Sequence, residues 1–202
     1  MEDIEIGSSL LFGGYYWRVL DIQNNTALII TEEIIEQRAY HDVYKDITWA
    51  DCELRKYLNG EFYDRFSEAD KSKIISVLNI NRNNPWFGAS GGEDTQDHIF
   101  LLDIEDVVCR YFGDSSGKLH NRSKKQNYWF QNKDENNSKR VAKFKGVDYW
   151  WWLRSPGRMN RVAAYIHGNP GGCVGINGNS VFFRRFGPER DGGVRPALWL
   201  KL

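Results

Sequence analysis

Four residue types are missing from one continuous stretch of this chain of 202 residues: Arg158 to Pro188 contains no Lys, Glu, Gln or Trp. Elsewhere those types make up about one residue in five, so roughly six or seven are due here if composition is uniform. Net charge is also missing, because 27 Lys and Arg balance 27 Asp and Glu. No global field therefore draws the chain to nucleic acid or to an anionic membrane. No apolar run reaches the ~18 residues of a membrane span. The opening Met1-Glu-Asp-Ile-Glu-Ile6 has neither the basic nor the apolar region of a signal peptide, so membrane insertion is not expected. Cys52, Cys109 and Cys173 are few, odd in number and without CxxC spacing. That pattern argues against a disulfide framework or a zinc site and suits three unpaired thiols. His41, His98, His120 and His167 show no HExxH or paired spacing, and no GxSxG, GxGxxG or Walker motif occurs. No cofactor and no metal site are expected.

What is present reads as sheet first. Ser9 to Phe12, Tyr15 to Ile22 and Thr26 to Thr31 are runs rich in aromatic and branched residues, with Gly13-Gly14 and Asn24-Asn25 as the turns between them. Thr48-Trp-Ala-Asp51 then predicts a helix with Thr48 as N-cap, lined by Leu54, Tyr57 and Leu58 and stopped at Asn59-Gly60. Ser67-Glu-Ala-Asp70 repeats the capping pattern for a short second helix from Glu68. Ile104, Val107, Val108 and Tyr111 have the spacing of a third, after Asp103 and before Gly113. From Asp114 to Lys145 the chain is polar and reads as a long insertion around one strand-like piece, Tyr128 to Phe130, its cations a solvated face. Tyr149 to Arg154 has the pattern of a buried strand. Gly193 to Leu200 is a terminal strand too apolar for the surface, with Pro196 near its start. Strands at both ends and helices between them imply a single α+β domain.

The depleted stretch has a chemistry that one genetic operation would produce. Randomising both adenines of an AAC or AAT asparagine codon gives Arg, Val, Tyr, Ile, His, Gly, Pro, Cys, Ser, Phe and Asn. It gives no Lys, Glu, Gln or Trp, and no Met, so Met159 stands outside the scheme. The side chains also suit recognition. Tyr165, Phe182, Phe183 and Phe186 supply apolar area, Arg158, Arg161, Arg184 and Arg185 planar donors, and Asn160, Asn169, Asn177 and Asn179 adaptable hydrogen bonding. Val162, His167 and Ile176 complete the candidate face together with Met159. A Gly-rich meander with inward phenylalanines fits the composition equally well.

The frame around these positions carries a resemblance. Trp151-Trp-Leu-Arg-Ser-Pro-Gly157, Ala163-Ala164, the spaced Val174 and Val181, and Gly193-Val-Arg-Pro-Ala-Leu-Trp199 resemble the variable region of diversity-generating retroelement proteins of bacteria, phages and prophages. Gly14-Tyr-Tyr-Trp-Arg-Val-Leu20 and Ile47-Thr-Trp-Ala-Asp-Cys-Glu-Leu-Arg-Lys-Tyr-Leu58 extend the likeness toward the N-terminus. It implies a C-type-lectin-like fold of the subtype shared with formylglycine-generating enzymes: an antiparallel sheet with two or three packed helices and long polar insertions. It also implies a C-terminal segment, residues 151–202, that a reverse transcriptase rewrites at adenines and that carries ligand-binding positions. Trp151, Trp152, Leu153, Val194, Pro196, Leu198 and Trp199 would then be core.

The rival readings are chemical. A formylglycine-generating oxidase needs two reactive cysteines close together in its C-terminal part, where only Cys173 lies. An undiversified carbohydrate- or protein-binding module would keep the fold without the retroelement, although the Glu-Pro-Asn type of calcium triplet is missing. More than a dozen candidate positions fit a flat patch of the order of 800 Å² better than a closed pocket. The expected partner is thus a macromolecule, a protein first, with an acidic surface favoured by the four arginines.

Overall fold

The computed structural model describes residues 4–113, 116–121, 123, 134–169, 171–182 and 191–202. Its first sheet begins as the expected meander, β1 (Ser9–Phe12), β2 (Tyr15–Gln23) and β3 (Thr26–Thr31). Gly13 and Gly14 turn with φ of 57° and 83°, and Asn24 and Asn25 with φ of 48° and 61°. That is the left-handed geometry a tight two-residue hairpin requires and the reason these residue types stand there. The last strand, β14 (Ala197–Lys201), pairs antiparallel with β3 through Leu198 opposite Ile29, and on its other side with β5 (Ile74–Ile75). The first strands and the β14 strand therefore share one sheet, as their apolarity predicts, and Pro196 precedes β14, its carbonyl accepting the Thr31 N–H at 3.0 Å while it has no N–H to donate.

The second sheet has the order β12-β11-β10-β13-β4. It comprises β4 (Glu36–Gln37), β10 (Trp151–Pro156), β11 (Val162–Ile166), β12 (Val174–Ser180) and β13 (Gly193–Val194). Two hairpins complete the strands, β6 (Val77–Asn79) with β7 (Thr95–Asp97) and β8 (Ala142–Phe144) with β9 (Val147–Tyr149). With short helices between the sheets, the architecture is α+β.

The helices sit where the periodicity places them but differ in form. Thr48 starts only a 3-10 turn, Trp49–Asp51, and its side chain caps nothing. The helix proper, α1 (Glu53–Tyr57), is capped by Cys52, whose sulfur accepts the Arg55 N–H at 3.4 Å. Asn59-Gly60 does not stop it. The backbone widens to a π turn over Leu58–Phe62 and tightens to 3-10 geometry through Arg65. Asn59 explains the continuation: its amide donates to Arg55 O and Ile99 O, and its oxygen accepts His98 N and Ile99 N. Ser67 caps α2 (Glu68–Lys71) as predicted, accepting Asp70 N–H at 3.1 Å. After Asp103 the helix is mostly a π turn, Asp106–Arg110, entered through a reciprocal cap in which Asp103 and Asp106 each accept the other's backbone N–H. Leu54, Leu58, Val107 and Val108 from these segments lie in one core with Ile29, Ile30, Trp151, Trp152 and Leu198.

The polar insertion holds a correction. The strand-like piece at Tyr128 to Phe130 lies outside the described residues. Around it, Arg140 in the turn Asn137–Arg140 is fully buried, not solvated. Its guanidinium donates to Asp134 Oδ2 at 3.1 Å, to Asn137 Oδ1 at 2.9 Å and to Val107 O. Asp134, Asn136 and Asn137 are buried with it. Polar residues can fill a core when they satisfy one another, and a reading that scores burial by apolarity misses them.

Candidate binding face

The face is built on β10, every residue of which is buried. Trp151 and Trp152 are anchored by their indole N–H groups, to Arg140 O at 3.0 Å and Arg38 O at 2.9 Å. Beyond β10 the chain turns at Gly157, where a Cβ would lie 2.5 Å from Asn177 O. That close approach lets the 157–161 loop lie directly on β12. Its backbone is then fixed from several sides: Gly157 N donates to Val162 O, Arg158 N to Asn177 O and Val181 N to Arg161 O. Asn160 O accepts Ile47 N, and its side chain reaches Ser90 O at 2.7 Å. A loop whose backbone groups are paired holds its side chains outward at little entropic cost on binding. Arg158, Met159 and Arg161 are accordingly exposed.

The sixteen candidate positions do not all behave alike. Asn169 and Asn177 are exposed like the three above, while Asn160, Val162, Tyr165, His167, Asn179 and Phe182 are half-buried. Ile176 is corrected outright, for it is fully buried in the core. The register explains this. Tyr165 pairs with Gly175 but Ala163 with Asn179, so β12 bulges over the intervening residues, and the Ile176 carbonyl is drawn to Asn84 Nδ2 at 2.8 Å. Tyr165 is a support more than a contact. Its ring lies over Gly175, where a Cβ would come within 2.3 Å, and packs edge-on to Trp150 at 5.5 Å. Phe183, Arg184, Arg185 and Phe186 lie outside the described residues.

Two contributions escaped the sequence reading. Asp42 to Asp46 is a run of five exposed residues beside the face. Asp46 accepts Arg161 Nε at 3.0 Å, and the Arg161 guanidinium sits 5.9 Å from the Tyr44 ring centre. An exposed pair of this kind adds little stability, but it removes one positive charge from the face. The other is Asn84, which donates to Pro156 O and Ile176 O and accepts Trp86 N and Phe87 N, clamping the ends of β10 and β12 together. The one sequence signal near it is an asparagine-rich stretch, Asn79, Asn81, Asn83 and Asn84. Among the described residues no group of three His, Cys, Asp or Glu is placed to hold a metal ion.

Burial favours the neutral form of two histidines near the face. His167 is pulled below its ordinary value of 6.5 by burial, and His41 by burial and then by Lys45. The unfolded chain therefore takes up protons that the native state refuses. This part of the stability is complete above 6.5 and is lost as the pH falls below it. The melting temperature should decline as the pH drops through that value, and His167→Gln should flatten the decline. An unchanged slope in that variant would show that His167 does not contribute.

The fold and face together define a class: an α+β domain that presents a short loop and an edge strand over a buried tryptophan frame. The chain belongs to the family described as a domain of unknown function (DUF6273), whose model matches residues 24–202. The match begins at the turn before β3 and takes in the whole second sheet. No curated protein and no solved structure matches the chain. Among the described residues no helix is long and apolar enough to cross a membrane.

Proposed function

We propose that this protein is a receptor-like or adhesin-like binding protein, without turnover of its own, whose C-terminal face recognises another macromolecule, a protein first. We further propose that the fold is of the C-type-lectin-like subtype and that the face is diversified by a retroelement through adenine-specific mutagenesis. One observation carries the reading. Arg158, Met159 and Arg161 stand exposed on a loop whose backbone is tied down, at the end of the buried strand that carries Trp151-Trp152-Leu153. A receptor that must change its contacts without losing its fold needs this separation, since exchange at exposed positions shifts stability by only about half a kcal/mol.

The thiols support binding over oxidase chemistry. Cys52 is a helix cap whose thiol burial pushes up to about 12, so it carries no reactive thiolate. Cys173 is also buried and in no disulfide, its sulfur accepting the Asn137 amide N–H at 3.2 Å.

Two experiments test the proposal. Sequencing the DNA beside the gene should find a reverse transcriptase and a near-copy of the segment that differs only at adenines. Lack of both would leave an undiversified binding module. Exchange of residues 158–186 for another variant's should switch the bound protein and leave the circular dichroism spectrum unchanged. Retained binding of the original partner would place recognition elsewhere. Binding should also weaken with salt, though less than four free arginines would give, because Asp46 already neutralises Arg161.

A further inference from the structure

A cleft away from the 157–161 loop has the features of a small-molecule site. Its volume is about 170 Å³, lined among others by Leu28, Val77, Phe100 and Trp199. Leu28 and Trp199 are register partners on β3 and β14, so the floor belongs to the first sheet. At ~30 Å³ per water molecule, the space suits a compact organic molecule and not a peptide. Leu78 and Ile80, also in its lining, are 61% and 43% exposed, an apolar surface that no other part of the described chain covers.

The polar side of the cleft is a fork of arginines. Arg82 and Arg110 both reach Glu105 Oε2, at 3.1 and 3.6 Å, and also Asp103 and Asp106 respectively. The two aspartates lie beneath, with side chains only 4–5% exposed, whereas the Arg82 and Arg110 side chains are 42% and 39% exposed. Asp106 shares the lining and the Glu105 side chain is 34% exposed between the two arginines, so the fork offers spare guanidinium donors beside carboxylates that balance part of its charge. Each guanidinium has five N–H donors, more than these acceptors consume. Arg154 adds a second kind of observation. It is buried in the wall of the same cleft, donates to Asp103, Asp106 and Leu101 O, and yet its Nε has no hydrogen-bond partner. A buried donor without an acceptor is unusual, and it leaves this wall of the cleft one acceptor short.

We propose that this cleft binds a small organic carboxylate, with its carboxyl group on the arginine fork and a flat or cyclic apolar body against Trp199, Leu78 and Ile80. Bidentate pairing of guanidinium with carboxylate supplies orientation. The apolar body distinguishes the ligand from a bare anion.

The test uses the intact chain with benzoate and cyclohexanecarboxylate as probes, read by calorimetry and by tryptophan fluorescence. Both should bind saturably, and Trp199→Phe should remove most of the fluorescence change. Methyl benzoate, which keeps the ring and loses the charge, and inorganic phosphate, which keeps charge and loses the ring, should each bind at least roughly tenfold more weakly. The double variant Arg82→Gln, Arg110→Gln should weaken both carboxylates by a similar factor. Should that variant fail to fold, the comparison of acid with ester on the unaltered chain decides. No saturable binding of either carboxylate overturns the proposal. So does phosphate or ester binding as tight as the acids, or undiminished binding by a folded double variant.

Discussion

Trp152→Ala is expected to lower the unfolding free energy by about 3–5 kcal/mol, as large aromatic truncations in a core do. Trp152 is fully buried on β10, donates to Arg38 O, and packs edge-on against Tyr40 at 5.5 Å and Trp150 at 4.6 Å. A Cβ on Gly192 would touch its ring at 2.3 Å, so the chain on that side already lies against the indole and has little freedom to collapse. Arg158→Ala, on the exposed loop a few residues away, should stay within about half a kcal/mol. Tyr165→Ala should fall between, at about 1–2 kcal/mol for a half-buried ring. Urea denaturation of the three variants measures the gradient from frame to face. Equal losses at Trp152 and Arg158 would mean that the loop is part of the core, and the binding proposal would fail with it.

The second large effect is expected at Arg140. Arg140→Ala removes a buried guanidinium from Asp134, Asn137 and Val107 O at once, leaving a carboxylate 2% exposed without its main counter-charge. Breaking such a pair from one side costs about 3–5 kcal/mol. Replacing both partners with apolar residues, as in Arg140→Met with Asp134→Leu, should recover part of the loss. It should not recover all, because the Val107 carbonyl and the Asn136 N–H that Asp134 accepts remain buried and unpaired. Chemical denaturation resolves the two variants. A fully tolerated Arg140→Ala would show that the 134–140 segment is not held to the core in solution.

The sheets were legible because their signals are local. Alternation of apolar residues, the paired glycines and the paired asparagines locate β1 to β3, and the unbroken apolar run of Gly193 to Leu200 locates the closing strand. Ser67 was readable as a cap because the hydroxyl and its N–H are three residues apart. The features that were missed depend on partners far along the chain. Asn59 carries the helix past Gly60 by bonding Ile99, forty residues on, and Arg140 is buried because Val107 and Asp134 meet it. At the candidate face the composition of 158–188 marks a segment, but composition has no direction. It counted Ile176 and Tyr165 with Arg158, and only the bulge in β12 separates inward from outward side chains. The Asp42 to Asp46 loop left no signal in the C-terminal pattern, since it meets the face through Asp46 and Tyr44 at Arg161, more than a hundred residues on.

The position of β14 between β3 and β5 has a consequence for synthesis. Residues 26–31 emerge from the ribosome well before residues 197–201, so one edge of β3 waits unpaired until about 165 further residues have been made. A stop codon or frameshift anywhere in 158–186 removes both β13 and β14. Such a product keeps Leu28, Ile29 and Ile30 beside an open edge, the kind of species that aggregates or is degraded. Under the proposed diversification, a segment placed upstream of the closing strand makes translation through residue 201 a condition for a stable product, and rewriting errors that truncate or shift the frame would be removed with the chains that carry them.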